Sequence, residues 1–215
     1  MRRFIRFCAA ALLAAALPLA PAGCSEGKDE GGGGDADIAE TNDRNLVACI
    51  GDSITQGGNS EGAPYPSRLA AMSGKRVMNY GAGGTHSSDG LGAVATALGR
   101  RPGYVCILYG ANDCISGVPA GTTVEHLRHI VRACKNNGTK AIVGTPTPMT
   151  GLHEKFNGAA AALAPAIKAM AKEEGAACVD LFGAFGSGEG LLGEDGLHMT
   201  DAGNDLIARK FNSRL

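Results

Sequence analysis

The sequence predicts an α/β fold in which a parallel β-sheet lies between two layers of helices. Short apolar runs alternate with amphipathic or alanine-rich stretches from residue 45 to the end of the chain. This alternation specifies a parallel sheet that is covered on both faces. The composition agrees, because 44% of the 215 residues are hydrophobic and 33 glycines accompany an absence of tryptophan. These figures fit one globular domain whose core packs small side chains closely.

Each element has its own signal. The first strand is a short apolar run, and the first helix is predicted directly after Pro64, because proline is favoured in a first helical turn. The fourth helix is rich in alanine and should kink at Pro165. The predicted strands are 45–50, 76–80, 104–109, 140–144 and 177–181, and the predicted helices are 65–72, 91–98, 124–135, 156–174 and 201–215. We therefore expect a three-layer α/β/α sandwich with a central, flavodoxin-like five-stranded parallel sheet.

Residues 1–24 have the pattern of a secretion signal. Arg2, Arg3 and Arg6 precede an apolar run at 7–20 that is shorter than a membrane span. The segment ends in Leu-Ala-Pro-Ala-Gly-Cys, which resembles a bacterial lipobox with proline where that pattern prefers leucine. We expect a lipidated Cys24 to hold an exported protein at the membrane of the cell envelope, on the periplasmic or outer face. Ordinary signal cleavage, with Cys24 incidental, is the alternative.

Residues 25–43 are predicted to form a flexible linker, and residues 44–215 the folded domain. The linker contains four consecutive glycines among charged and small residues and has no apolar periodicity. Loss of the three signal-segment arginines would change the formal net charge from −1 to −4. A nucleic-acid partner is therefore not expected.

The domain contains five cysteines, an odd number that excludes complete pairing within one chain. Cys49, Cys106 and Cys178 lie in apolar strand-like runs, where a free cysteine usually behaves as a small buried hydrophobic residue. If any two form a disulfide, Cys114 and Cys134 are the favoured pair.

Polar and glycine-rich motifs stand beside the predicted strands. The carboxyl ends of parallel strands share one edge of the sheet, and α/β folds bind ligands there. The motifs are Gly51-Asp52-Ser53, residues 79–85, Gly110-Ala111-Asn112-Asp113 and Asp195-Gly196-Leu197-His198. A serine becomes a good nucleophile when an imidazole accepts its proton and a carboxylate orients that imidazole. Ser53, His198 and Asp195 provide these three groups.

The four motifs resemble those of the SGNH hydrolases, also called the GDSL esterase and lipase family. They occur in that family's order and span essentially the whole domain. The resemblance implies that Ser53 is the nucleophile, His198 the general base and Asp195 the residue that orients it. It also implies an oxyanion hole made by the backbone N–H groups of Ser53 and Gly84 and by the side-chain amide of Asn112.

The match departs from the family pattern at two positions. Ile54 replaces the leucine of Gly-Asp-Ser-Leu, and Met199 follows the histidine where proline is common. Neither change removes a reacting group. Gly84 is chosen among the three glycines of residues 81–84 because it lies five positions after Asn79.

The resemblance implies a serine hydrolase that cleaves carboxylic esters without a metal or cofactor. Short-chain acyl or acetyl esters are the expected substrates. Lysophospholipids, thioesters and O-acetylated polysaccharides are alternatives. A non-catalytic envelope-binding module on the same fold is the alternative from another functional class.

Other polar residues of the motifs receive structural roles. Asp52 and Asp113 are expected to brace their loops through hydrogen bonds to the backbone. His86 could line the pocket or lie solvated on its loop. His126 and His129 are expected on a wet helix face rather than in a metal site, because no third ligand accompanies them.

Overall fold

The computed structural model describes residues 38–215, and they contain a five-stranded, all-parallel sheet with the strand order β2-β1-β3-β4-β5. The strands are β1 (Asp43–Gly51), β2 (Arg76–Gly81), β3 (Pro102–Leu108), β4 (Lys140–Gly144) and β5 (Ala177–Val179). The helices are α1 (Ser53–Gln56), α2 (Tyr65–Ser73), α3 (Gly90–Leu98), α4 (Ala111–Ile115), α5 (Ala120–Asn136), α6 (Asn157–Glu173), α7 (Leu181–Phe185) and α8 (Asp201–Asn212). Short 3₁₀ helices occupy Ser87–Asp89 and Gly151–Phe156. The predicted α/β class and the five parallel strands are confirmed.

The helices form two groups around the sheet. In one group α2 packs on α8, and in the other α5 packs on both α3 and α6. Every residue of β3 is buried, which places this strand at the centre of the core. The rings of Tyr65 and Phe211 stack with centroids 5.4 Å apart, and the Tyr65 N–H donates to Asn204 Oδ1 at 3.0 Å. These contacts join α2 to α8, and so join the beginning of the domain to its end.

One element boundary differs from the prediction because a polar residue caps a helix. The fifth strand was expected to reach residue 181 but ends at Val179, because the Asp180 side chain accepts the Gly183 N–H and starts α7. The short helices α1, α4 and α7 were not predicted. Pro165 lies inside α6, which extends to Glu173.

Packing against the domain begins before residue 44. Ile38 is buried at 3% exposure, and the Asn42 side chain donates to the carbonyls of Asn137 and Gly138 at 2.9 Å each. Residues 38–43, expected to belong to the linker, therefore contact the connection between α5 and β4. The predicted signal, Cys24 and the rest of the linker lie outside the described residues. Among residues 38–215, no helix combines the length and apolar character needed to cross a bilayer.

All five cysteines of the described chain are free thiols, so the favoured pairing of Cys114 with Cys134 is wrong. Cys114 lies on α4 and Cys134 on α5, and each is buried as a small apolar side chain. Burial raises the pKa of the Cys114 thiol to about 11 and that of Cys134 to about 12. Thiols that stay protonated in this way are inert toward oxidation.

Candidate active site

Ser53 lies where β1 gives way to α1, at the carboxyl edge of the sheet. The Asp52 carboxylate caps α1 by accepting the Ile54 N–H at 3.0 Å. Gly51 is needed for close packing, because an added Cβ would lie 2.1 Å from Thr55 Oγ1 and 2.4 Å from the Leu108 carbonyl oxygen. This close packing between β1 and α1 places the half-buried Ser53 as the first residue of the helix.

Ser53, His198 and Asp195 form a continuous chain of hydrogen bonds. His198 Nε2 is 2.9 Å from Ser53 Oγ, and His198 Nδ1 is 2.6 Å from Asp195 Oδ2. The second oxygen of Asp195 accepts the backbone N–H groups of Leu197 and His198, each at 2.9 Å. The structure therefore brings together three side chains that come from opposite ends of the domain.

The surroundings of Asp195, among these hydrogen bonds, favour its ionised form. Partial burial opposes ionisation, but the hydrogen bonds from the His198 ring and from the two backbone N–H groups outweigh it. Together they hold the pKa of Asp195 below its ordinary value. A carboxylate in this state can fix the orientation of the His198 ring and stabilise a positive charge on it.

A second loop supports the turn that carries Asp195 and His198. The Thr150 N–H donates to the Gly196 carbonyl at 2.9 Å, and a Cβ on Gly196 would lie 2.0 Å from the Thr150 carbonyl oxygen. His153 Nδ1 donates to the Asp195 carbonyl at 2.8 Å. Sequence reasoning missed Thr150 and His153. Their position just after β4, at the same edge as the motifs, is the signal that could have found them.

The three predicted oxyanion donors lie just after neighbouring strands, Gly84 on a loop and the other two in the short helices α1 and α4. Ser53 follows β1, Gly84 follows β2 and Asn112 follows β3. Gly84 has a φ of +76° and no atom within 4 Å of the place where a Cβ would stand. One N–H of the Asn112 amide donates to the Thr85 carbonyl at 2.9 Å. The second N–H remains as a donor, because a side-chain amide carries two.

Asp52 and Asp113 are both buried at 1% exposure behind these loops. Asp113 accepts the Ser87 N–H at 3.0 Å, the Ser87 hydroxyl at 2.5 Å and the Thr123 hydroxyl at 3.2 Å. Burial, together with the negative charge of Asp113, raises the pKa of Asp52 to about 7, although the Ile54 N–H opposes the shift.

The histidines outside this chain of hydrogen bonds have different surroundings. His86 Nε2 lies 2.8 Å from Ser116 Oγ, and His129 is exposed. His126 does not lie on a purely solvated face, because it is half-buried and its Nδ1 lies 2.9 Å from Ser87 Oγ. No group of three histidine, cysteine, aspartate or glutamate side chains in the described part of the chain is placed to hold a metal ion.

Comparison with known proteins gives the same assignment as the motifs. The model of the GDSL-like Lipase/Acylhydrolase family matches residues 49–206. A G-D-S-L family protein from Desulfitobacterium hafniense DCB-2 has a similar structure, with a TM-score of 0.69 and 26% identity over 80% of this chain and 100% of that one. No curated protein matches the chain.

Two acetyl xylan esterases share the fold. AlAXEase has a TM-score of 0.69 and 21% identity, over 79% of this chain and 99% of its own. A catalytic mutant of Axe2, an acetylxylan esterase from Geobacillus stearothermophilus, has a TM-score of 0.66 and 24% identity, over 79% of this chain and 93% of its own.

Proposed function

This chain belongs to the GDSL-like lipase/acylhydrolase family and is a carboxylic ester hydrolase, and we propose that it cleaves short-chain or acetyl esters through an acyl-serine intermediate. The hydrogen-bonded chain from Ser53 through His198 to Asp195 is the observation that carries the proposal. It aligns a hydroxyl, a base and a carboxylate in the order that nucleophilic catalysis requires.

In the first half of the reaction, Ser53 Oγ attacks the ester carbonyl while His198 Nε2 accepts the hydroxyl proton. The imidazolium that forms is stabilised by Asp195 through the 2.6 Å contact at Nδ1. The same Nε2 then protonates the departing alcohol, and the acyl group remains on Ser53.

The negative charge that develops on the carbonyl oxygen needs donors already in place. The Ser53 and Gly84 N–H groups and the free N–H of the Asn112 amide supply them. Loss of one such donor typically costs about 3 kcal/mol of transition-state stabilisation. In the second half of the reaction, His198 takes a proton from water as the water attacks the acyl-serine, and it then returns that proton to Ser53 Oγ as the acid is released.

A small acyl group suits the short connections at the carboxyl edge. The longest of them, residues 186–200, carries Asp195 and His198 themselves, so it serves the proposed triad rather than a separate lid. The acetyl xylan esterases among the structural neighbours make O-acetylated polysaccharide the leading natural substrate class. Lysophospholipids and thioesters are the other candidates.

The test is hydrolysis of p-nitrophenyl esters from acetate to palmitate by the parent protein and by Ser53→Ala and His198→Ala. We expect the parent to prefer acetate and both variants to lose activity. Release of acetate from acetylated xylan is measured beside it. Rates that rise with acyl length, with acetylated glycans left intact, would exclude the acetylesterase proposal.

We further propose that the protein is an exported lipoprotein, on the basis of its N-terminal sequence alone. Cys24→Ser should then move the protein from the membrane fraction to the soluble fraction of cells that express it. The parent and a variant at Ser25, the next residue, serve as controls. Tight membrane association of Cys24→Ser would exclude the anchor.

A further inference from the structure

We propose that His126 positions the oxyanion-binding side of the site, through hydrogen bonds that run from His126 to Ser87 and from Ser87 to Asp113. The proposal rests on the assignment of Asn112 and Gly84 as oxyanion donors in the proposed function. It makes His126 a positioning residue, since its contact in the site is with Ser87 rather than with Ser53 or His198.

The direction of these hydrogen bonds follows from the buried carboxylate. Asp113 Oδ1 lies 2.5 Å from Ser87 Oγ, and a carboxylate only accepts, so the hydroxyl proton of Ser87 points at Asp113. Ser87 Oγ has then no proton left for His126. The contact of 2.9 Å therefore requires a proton on His126 Nδ1, which donates to Ser87. This requirement fixes the tautomer of the neutral ring.

The network joins the two segments that carry the proposed oxyanion donors. Ser87 lies three residues after Gly84, and Asp113 directly follows Asn112. On the side of the active site, the Asn112 amide makes a parallel link to the Thr85 carbonyl at 2.9 Å. Because both links connect the same two segments, the network limits how far the Gly84 N–H can move from the Asn112 amide.

Helix α5 closes the network from outside. Thr123 and His126 lie three residues apart on one face of α5, and they contact Asp113 and Ser87 respectively. Ser87 and Asp113 are buried, whereas His126 is half-buried, so His126 is the outermost member of the network. Its loss would leave a fully buried serine oxygen without its donor, and the loop would relax to recover a partner.

The substitution His126→Ala should lower kcat for p-nitrophenyl acetate about tenfold and leave KM within about twofold, because small displacements of catalytic groups mainly reduce the rate of the chemical step. His126→Asn should restore most of the activity, since its side-chain N–H can stand where Nδ1–H stands. His129→Ala is the matched control, because His129 is an exposed histidine on the same helix. It should behave as the parent does.

Nuclear magnetic resonance of ¹⁵N-labelled protein provides a readout that does not depend on turnover. We expect the side-chain amide signal of Asn112 and the backbone amide signal of Gly84 to shift in His126→Ala. In His126→Asn and in His129→Ala, both signals should lie at their positions in the parent protein. The ring nitrogens of His126 in the parent should show the proton on Nδ1. If His126→Ala does not fold, His126→Asn and His126→Gln replace it. The Asn112 and Gly84 signals should then lie close to their parent positions in the asparagine variant and be displaced in the glutamine variant.

Three results would overturn the proposal. They are a proton on Nε2 instead of Nδ1, unmoved Asn112 and Gly84 signals in folded His126→Ala, and an asparagine variant as impaired as the alanine or glutamine variant. Failure of the proposed function is a separate outcome, recognised by a parent that cleaves no ester and whose Ser53 does not react with a fluorophosphonate probe. In that case the NMR signals still decide the positioning role.

Discussion

Two sets of serine, histidine and aspartate stand out within residues 38–215, and their hydrogen bonds run in different orders. In the first set His198 stands between Ser53 and Asp195, at 2.9 and 2.6 Å. In the second set the serine stands in the middle, between the other two side chains, and it is buried at 0% exposure. The same three residue types therefore give the proposed nucleophile in one place and the proposed brace in the other.

The order decides which group can accept the serine proton. Where histidine is central, its free ring nitrogen faces the hydroxyl and can act as a base. Where serine is central, its proton is held by the carboxylate, and the histidine acts only as a donor. The residue types alone do not distinguish the two sets. The order in which their hydrogen bonds connect them does distinguish them.

Removal of the Ser53 hydroxyl gives the largest expected effect. Ser53→Ala should reduce ester hydrolysis about 10⁵-fold or more and abolish fluorophosphonate labelling, because the nucleophile is lost. The measurement is kcat with p-nitrophenyl acetate, with labelling followed on a gel. Labelling that persists in Ser53→Ala would refute the assignment of the nucleophile.

Substitution of the carboxylate in the first set comes next. Asp195→Asn should lower kcat about 10³- to 10⁴-fold, because an amide at this position can hold the His198 ring in the wrong tautomer. The pKa of Asp195 lies below its ordinary value, so we expect the deficit to be constant across neutral and alkaline pH. Kinetics of the variant and the parent from pH 6 to 9 test it, and recovery of the variant within that range would contradict the assignment.

A smaller effect is expected from the central serine of the second set. Ser87→Ala should lower kcat about 10- to 100-fold, because the link to Asp113 is lost, while the nucleophile still reacts with a fluorophosphonate. Activity and labelling are measured on the same preparation, with its thermal unfolding recorded as a check of folding. Loss of labelling in a folded Ser87→Ala would place this serine in the catalytic chemistry and break the comparison.

The smallest effect concerns stability, and it contrasts Asp52 with Asp195. Asp52 has a folded-state pKa of about 7, raised from 3.8, so between these values the folded protein holds more protons than the unfolded chain. This residue therefore makes the free energy of unfolding fall as pH rises from 3.8 to about 7. Asp52→Asn should remove this slope and, at pH 8, gain stability on the order of 1 kcal/mol.

Urea unfolding of Asp52→Asn and the parent at pH 5 and pH 8 measures this difference. Asparagine can also cap α1, so the helix start is preserved in the comparison. If the two proteins differed in free energy of unfolding by the same amount at pH 5 and at pH 8, folding would not raise the pKa of Asp52.

The features that could be predicted are those that short stretches of the sequence indicate by themselves. The apolar runs identified all five strands, and the four motifs placed Ser53, Asn112, Asp195 and His198 at one edge because parallel strands share it. The disulfide prediction failed because it rested on setting aside the three cysteines in strand-like runs, which does not show whether the remaining two lie close enough to bond.

The second Ser-His-Asp set could not be read from the sequence. His126 and His129 lie three residues apart on one helix and look equivalent as letters. Only the packing of α5 against the loop after β2 places His126 beside Ser87 and leaves His129 exposed. Likewise, the support that Thr150 and His153 give to the turn that carries Asp195 and His198 depends on contacts between segments more than forty residues apart.

The contact between Ser53 and His198, which stand far apart along the chain, has a consequence for the timing of activity during synthesis. In the proposed reaction the nucleophile Ser53 is translated early, but its base, His198, stands just before α8. A nascent polypeptide that has not reached residue 195 contains Ser53 without either of its partners. In the proposed reaction, a chain on the ribosome therefore cannot hydrolyse esters through Ser53 before residue 198 has been added and has folded beside Ser53.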